Sequence, residues 1–284
     1  MIPAMFEYHR PADVKSAVSL LHEHGDEARV LAGGHSLIPM MKLRMAAVEH
    51  LVDIQDIEEL REIKVSGDTV HIGAMVTQNE LINNASLAKA APLIREASLQ
   101  IADPQVRYVG TIGGNVANGD PANDMPGLMQ CLDATYALSG PSGERTIKAR
   151  EFYESAFMTA CEDDEILTSI AFPATTAGYA YEKQKRKIGD YATAAAAVLI
   201  TMGGKTCTAA SIAMTNLSDT PLWSEAAGAA LVGTNCGDAD IAAAVAAALN
   251  DTDPTEDNRG PVEFKRHVAG VIVRRAIERA LSRA

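Results

Sequence analysis

Two segments of this chain set paired glycines beside small polar side chains: Ala32-Gly33-Gly34-His35-Ser36 and Thr111-Ile112-Gly113-Gly114-Asn115. Paired glycines let successive backbone N–H groups converge on an anion with no side chain in the way, and Ser36 adds a hydroxyl donor. Each segment therefore has the make-up of a phosphate cradle. Gly-Gly alone is also an ordinary turn, and it is the recurrence that points further. Two strand-linked cradles can close on a diphosphate from two sides, and Asp124 downstream offers a carboxylate to a ribose or ribityl hydroxyl. A bound nucleotide cofactor is expected.

Competing chemistries find less support. The Gly-x-Gly-x-x-Gly pattern of a Rossmann turn is absent. In Gly204-Lys205-Thr206 the first glycine of a P-loop would fall on Leu199, so that run reads as a hairpin tip. His22 and His24 lie near the end of one helical stripe and face different ways. His9, His35, His50, His71 and His267 are isolated, so no metal-ligand set is expected. His35 could orient the first cradle, touch a cofactor, or simply hydrogen-bond a turn. Asp163-Asp164-Glu165 suits a solvated face, and the widely spaced Cys131, Cys161, Cys207 and Cys236 suit structural thiols. No catalytic residue is expected in this chain. The basic run Lys183, Lys185, Arg186, Lys187 is either a charged hairpin rim or a docking place for a partner or for cofactor phosphates. Tyr191 just after it could lay a flat ring over a bound heterocycle.

The elements that must position these residues read as follows. Asp13 precedes Val14, Ala17, Val18 and Leu21, a helix stripe that ends at Gly25, and strands are expected at 29–31, 51–54 and 69–74. Thr77 and Glu80 have capping-box spacing, and Pro92 opens a helix that Asp103-Pro104 stops. Residues 111–123 read as a long ordered loop, followed by a helix from Asp124 to Leu132. Strands at 135–138, 146–147 and 166–172 precede a boundary near 173–178. Beyond it come an antiparallel meander (179–185, 194–201, 207–214) and helices at 222–231, 240–249 and 264–281. Strands followed by helices make this an α+β protein. A formal charge of -12 disfavours a nucleic-acid partner. The first residues lack a secretory pattern, and the apolar run 192–202 is too short to span a membrane, so a cytoplasmic protein is expected.

Three strings, LAGGHSLIPMMKLR at 31–44, IADPQVRYVGTIGGNVANGDPANDMP at 101–126 and YEKQKRKIGDYATAAAAV at 181–198, carry a family likeness over essentially the whole chain. The sequence resembles the flavin-binding medium subunits of the molybdenum hydroxylase family, in particular those of aerobic, molybdenum-dependent carbon monoxide dehydrogenases. The resemblance implies a two-subdomain FAD-binding fold of the vanillyl-alcohol oxidase / p-cresol methylhydroxylase type over residues 1–176, divided near 55–65. It implies a C-terminal antiparallel-sheet and helix domain over 177–284. By the same resemblance 32–36 and 111–115 are pyrophosphate loops, Asp124 is a carboxylate ligand of FAD, and Tyr191 or its immediate neighbourhood covers the isoalloxazine. The implied partners are a small subunit with two [2Fe-2S] clusters and a large subunit with a molybdenum–copper cofactor, in a dimer of heterotrimers. Electrons would leave to a respiratory quinone at the inner face of the cell membrane. The alternative is the FAD subunit of a related hydroxylase acting on a purine, an aldehyde or an aromatic heterocycle.

Overall fold

The computed structural model describes residues 2–284. The first helix runs Val14–His24 because both of its ends are written locally. The Asp13 carboxylate accepts from the Ser16 amide at 2.7 Å, and Gly25 leaves the helix at φ 53°. Its buried stripe of Ala17, Val18 and Leu21 packs on a three-stranded parallel sheet ordered Glu7–His9, His50–Asp53, Ala28–Leu31. The three-residue strand Glu7–His9 is too short to show a period in the sequence. This order leaves segment 32–36 at the carboxyl end of Ala28–Leu31, the end of parallel strands where α/β folds bind ligands.

A five-stranded antiparallel sheet follows, ordered Ile63–Ser66, Thr69–Gly73, Ile166–Pro173, Thr135–Gly140, Gly143–Lys148. The Thr77 capping box forms: Thr77 Oγ1 accepts from the Glu80 amide at 3.2 Å, and the Glu80 carboxylate accepts from the Thr77 amide at 2.7 Å. Thr77 also bridges to Thr111, so this cap steadies the second glycine segment. Thr77→Ala is expected to cost about 1 kcal/mol of stability, lowering the thermal midpoint by about 2–4 °C in a calorimetric scan.

The last sheet is antiparallel and ordered Gly178–Gln184, Ala194–Gly203, Thr206–Thr215, Leu222–Trp223. Its alanine run is explained by burial on both faces. Ala195 and Ala197 join the core beneath the helix Asp124–Cys131, while Ala194, Ala196 and Val198 face the C-terminal helices Glu225–Leu231, Asp238–Asn250 and Val262–Leu281. Gly203 pairs with Thr206 across the expected hairpin tip.

Three local expectations are corrected. The helix opened by Pro92 already ends at Ser98, and Asp103-Pro104 instead starts another, Pro104–Val109, because the Asp103 side chain caps the Val106 amide at 3.0 Å. The supposed loop from 111 begins with a helix, Ile112–Ala117, since burial of Ile112 and Val116 four residues apart outweighs the poor helix propensity of two glycines. At 222–231 the first two residues form a strand, and Ser224 caps a helix that starts at Glu225. Among the described residues, no helix is long and apolar enough to cross a membrane.

Candidate functional site

The first glycine segment turns sharply, with Gly34 at φ 72°. Among the described residues, the backbone amides of Gly33, Gly34, His35 and Ser36 donate no hydrogen bond within the protein. Four consecutive amides in a tight turn are thus open to an acceptor from outside the chain, as a phosphate cradle requires. Gly33 lies against the second segment: a Cβ there would overlap the Val109 carbonyl oxygen and come within 2.9 Å of the Gly110 Cα.

The second segment is built differently from the expectation of a second strand-linked loop. It follows a helix, and its amides are already used: Ile112 donates to the Val76 carbonyl at 2.9 Å, Gly113 to the Ala74 carbonyl at 2.9 Å, and Gly114 to Thr111 Oγ1 at 3.1 Å. What its glycines supply is closeness. A Cβ on Gly113 would meet Ala74 at 2.5 Å, and one on Gly114 would point at Ala32 at 3.4 Å, across the gap between the two segments. Asn115 braces the start of the next helix, its side chain accepting from the Met125 amide at 3.2 Å and its carbonyl from Asn123 at 2.9 Å.

That helix delivers Asp124 into a buried polar group that local patterning does not reveal. Lys183 Nζ donates to Asp124 Oδ2 at 2.8 Å, and the Tyr181 hydroxyl donates to Asp124 Oδ1. The Lys183 side chain is only 1% exposed and that of Asp124 6%. Burial, and then the Asp124 charge, hold the Tyr181 phenol well above its ordinary range, so it stays a neutral donor. Tyr181 and Lys183 are two apart in a strand and share its inward face. Lys183 is the lysine of that run that falls within the strand, two residues from a buried tyrosine, and a lysine so placed needs an acidic partner.

These features line one cleft of about 800 Å³, within the usual range of ligand sites. All five residues 32–36 line it, as do Thr111, Gly113, Gly114, Asn115, Asp124, Lys183 and Tyr191. Ile112 instead turns its side chain into the core. The His35 ring comes near Gly110, 3.8 Å from where a Cβ on that glycine would sit. Tyr191, 41% exposed, stands in the turn before Ala194–Gly203, with the Arg259 guanidinium 5.4 Å from its ring. That turn is braced by Asp190, which pairs with Arg186 at 3.0 Å and Arg259 at 3.9 Å. Gln78 also lines the cleft. Its side-chain amide is buried with neither Nε2 nor Oε1 hydrogen-bonded, an unmet polar group of the kind a ligand satisfies.

Two further expectations meet the structure here. The thiols are all free, and burial pushes those of Cys131 and Cys161 up to about 12, which leaves them protonated and unreactive. The histidines are not all isolated: His9, His24 and His50 come together away from the cleft.

Residues 4–175 match the family described as the FAD binding domain in molybdopterin dehydrogenase, and residues 179–280 match the CO dehydrogenase flavoprotein C-terminal domain. The carbon monoxide dehydrogenase medium chain of Afipia carboxidovorans is 57% identical over 286 residues, covering 100% of this chain and 99% of the relative. That of Hydrogenophaga pseudoflava is 46% identical over 285 residues, with 100% and 99% covered. The fold superposes on a chain of reconstituted CO dehydrogenase from Oligotropha carboxidovorans with a TM-score of 0.99 at 57% identity, covering all of both chains. With both of its parts matched and its full length shared, the chain belongs to the FAD-binding medium-chain family of the molybdopterin dehydrogenases.

Proposed function

We propose that this chain is the FAD-carrying electron relay of an aerobic carbon monoxide dehydrogenase. It would take electrons from two [2Fe-2S] clusters of a small subunit and pass them to a respiratory quinone, while a large subunit oxidises carbon monoxide at a molybdenum–copper cofactor. A dimer of such heterotrimers, in the cytoplasm at the inner face of the membrane, completes the reading. Residues 1–176 would hold the cofactor and 177–284 would pack against them. The full-length likeness to carbon monoxide dehydrogenase medium chains favours this substrate over a purine, an aldehyde or a heterocycle.

The observation that carries the reading is the cleft, with open amides on one wall and a buried, braced carboxylate on another. FAD supplies the redox chemistry, and the chain's residues bind and position it. The amides of Gly33 to Ser36 would face the diphosphate, with Gly113 and Gly114 keeping the opposite wall thin. Asp124, held by Lys183 and Tyr181, would accept from a cofactor hydroxyl. Tyr191 would cover the flat heterocycle and exclude water from that face. As purified, the full chain should show the absorbance of oxidised flavin, with one FAD released per chain on denaturation. A colourless, properly folded chain that takes up no added FAD would defeat the proposal.

Tyr191 yields a separate prediction. A covering ring needs its flat face and not its hydroxyl, so Tyr191→Phe should change little. Tyr191→Ala should retain part of the FAD and slow flavin reduction at least about tenfold, equivalent to about 1.4 kcal/mol. Rapid-mixing absorbance on the assembled enzyme after addition of carbon monoxide reads both. Parental reduction rates in Tyr191→Ala would make Tyr191 a packing residue only.

A further inference from the structure

We infer that His9, His24 and His50 form a binding site for a divalent cation of the zinc class, separate from the cofactor cleft. The three ligands come from three elements. His9 ends the strand Glu7–His9, His50 begins the neighbouring strand His50–Asp53, and His24 is the last residue of the helix Val14–His24, where Gly25 turns the chain away. His9 Nε2 lies 3.0 Å from His50 Nδ1, and one ligand atom from each of the three residues falls within 4.8 Å of the others. All three side chains are half-buried, and none lines the cofactor cleft.

The chemistry of the donor set suits a metal better than it suits three unrelated histidines. Apart from the single contact between His9 and His50, the imidazoles meet no hydrogen-bonding partner among the described residues, and the His24 ring nitrogens have none. Three nitrogen donors therefore converge with most of their capacity unused. Imidazole is a preferred ligand of zinc, copper and nickel. The Glu7 carboxylate, 3.8 Å from His50 Nδ1, is placed to approach as a fourth ligand, or a water can take that place. His9 also borders a shallow surface groove with Leu20 and Glu23, which gives an ion a way in.

The present geometry is close to that of a bound ion without matching it. Tetrahedral zinc with nitrogens at about 2.0–2.1 Å keeps them roughly 3.3 Å apart, so His9 and His50 need to separate by a few tenths of an ångström. The His24 and His50 rings are stacked, with centroids 3.6 Å apart and planes 6° from parallel. Their in-plane lone pairs thus run side by side, and one ring must turn about χ2, a broad and soft torsion, to face the common point. Such a site would tie the first strand and the first helix to the central strand of the parallel sheet.

The test uses the full chain after chelator treatment, with Zn2+ alone as the probe. The parent should bind one equivalent of Zn2+ saturably, with a dissociation constant below about 10 μM, and its thermal midpoint should rise accordingly. His24→Phe keeps a flat ring for the stack with His50 but removes a ligand atom, and His9→Phe removes another. Each should fold with an unchanged midpoint in chelator, lose at least about tenfold in affinity, and lose the zinc-dependent rise. Histidine-selective NMR of the parent supplies a readout that depends on no variant: one equivalent of Zn2+ should shift the ring signals of His9, His24 and His50 and leave His22 and His267 in place. Absence of saturable binding by the parent, parental affinity in both variants, or shifts confined to other histidines would each overturn the inference. FAD content is unaffected by any of these outcomes, so the result stands apart from the cofactor reading.

Discussion

Gly33→Ala should fold and yet retain less than about a tenth of the parental FAD. The added Cβ would collide with the Val109 carbonyl oxygen and approach the Gly110 Cα to 2.9 Å. Both obstacles are backbone, so no rotamer change relieves them, and the two walls of the cleft must move apart. A separation of 1 Å is enough to pull the open amides of residues 33–36 off a diphosphate that they would otherwise hold at hydrogen-bond distance. The companion variants grade the effect. Gly114→Ala places its Cβ 2.9 Å from the Thr111 hydroxyl and 3.4 Å from the Ala32 methyl, contacts that a small side-chain shift can absorb, so it should lose only part of the cofactor. Gly114→Val sends two more methyls into the same gap and should be largely flavin-free. FAD released per folded chain, with folding judged by circular dichroism, orders the three. If Gly33→Ala holds a full complement of FAD, the contact between the two segments has no part in binding.

The contrast between these glycines shows what could and could not be read beforehand. Features closed within a few residues were legible: the Asp13 cap with its Ala17, Val18, Leu21 stripe, the Thr77–Glu80 box, and the Gly203–Thr206 hairpin. Many of the cleft's lining residues were legible too, because both glycine segments stand out in the sequence and both line it. The two segments did not turn out to be equivalent, however. Whether an amide is open or already used depends on what lies across from it, and Ala74 and Val76, which accept from Gly113 and Ile112, are more than 30 positions away in the chain. The same holds for the histidines. His9, His24 and His50 meet only because the parallel register sets His50 opposite Glu7, two residues before His9 on a strand just three residues long, and beside the end of a helix, a relation with no periodic trace. Lys183 is the intermediate case. Its charge drew attention to the run 183–187, and Lys183 and Lys187 share the parity of Tyr181; what separates the buried lysine from the exposed one is that the strand ends at Gln184, which a run of charges does not announce.

That buried lysine carries the second large effect. Lys183→Met leaves the Asp124 carboxylate in the protein interior with the Tyr181 hydroxyl as its remaining donor. Removing one partner of a buried pair costs about 3–5 kcal/mol, far more than the pair contributes when intact. The flavin-stripped chain should accordingly melt roughly 10 °C lower. Adding Asp124→Asn to Lys183→Met removes both charges at once while keeping the side chain's shape and a hydrogen bond to Tyr181, so most of the lost stability should return. FAD retention should not return with it, because an amide is a weaker acceptor than a carboxylate for a cofactor hydroxyl. The double variant thus separates two roles that any single substitution merges: the pair as a packing element, and Asp124 as a ligand. Thermal scans of flavin-stripped chains report the first role, and FAD affinity reports the second. A double variant that regains both would make Asp124 a purely structural residue. A single Lys183→Met variant that melts with the parent would show that the carboxylate finds water in the cleft, and that the lysine is not what stabilises it there.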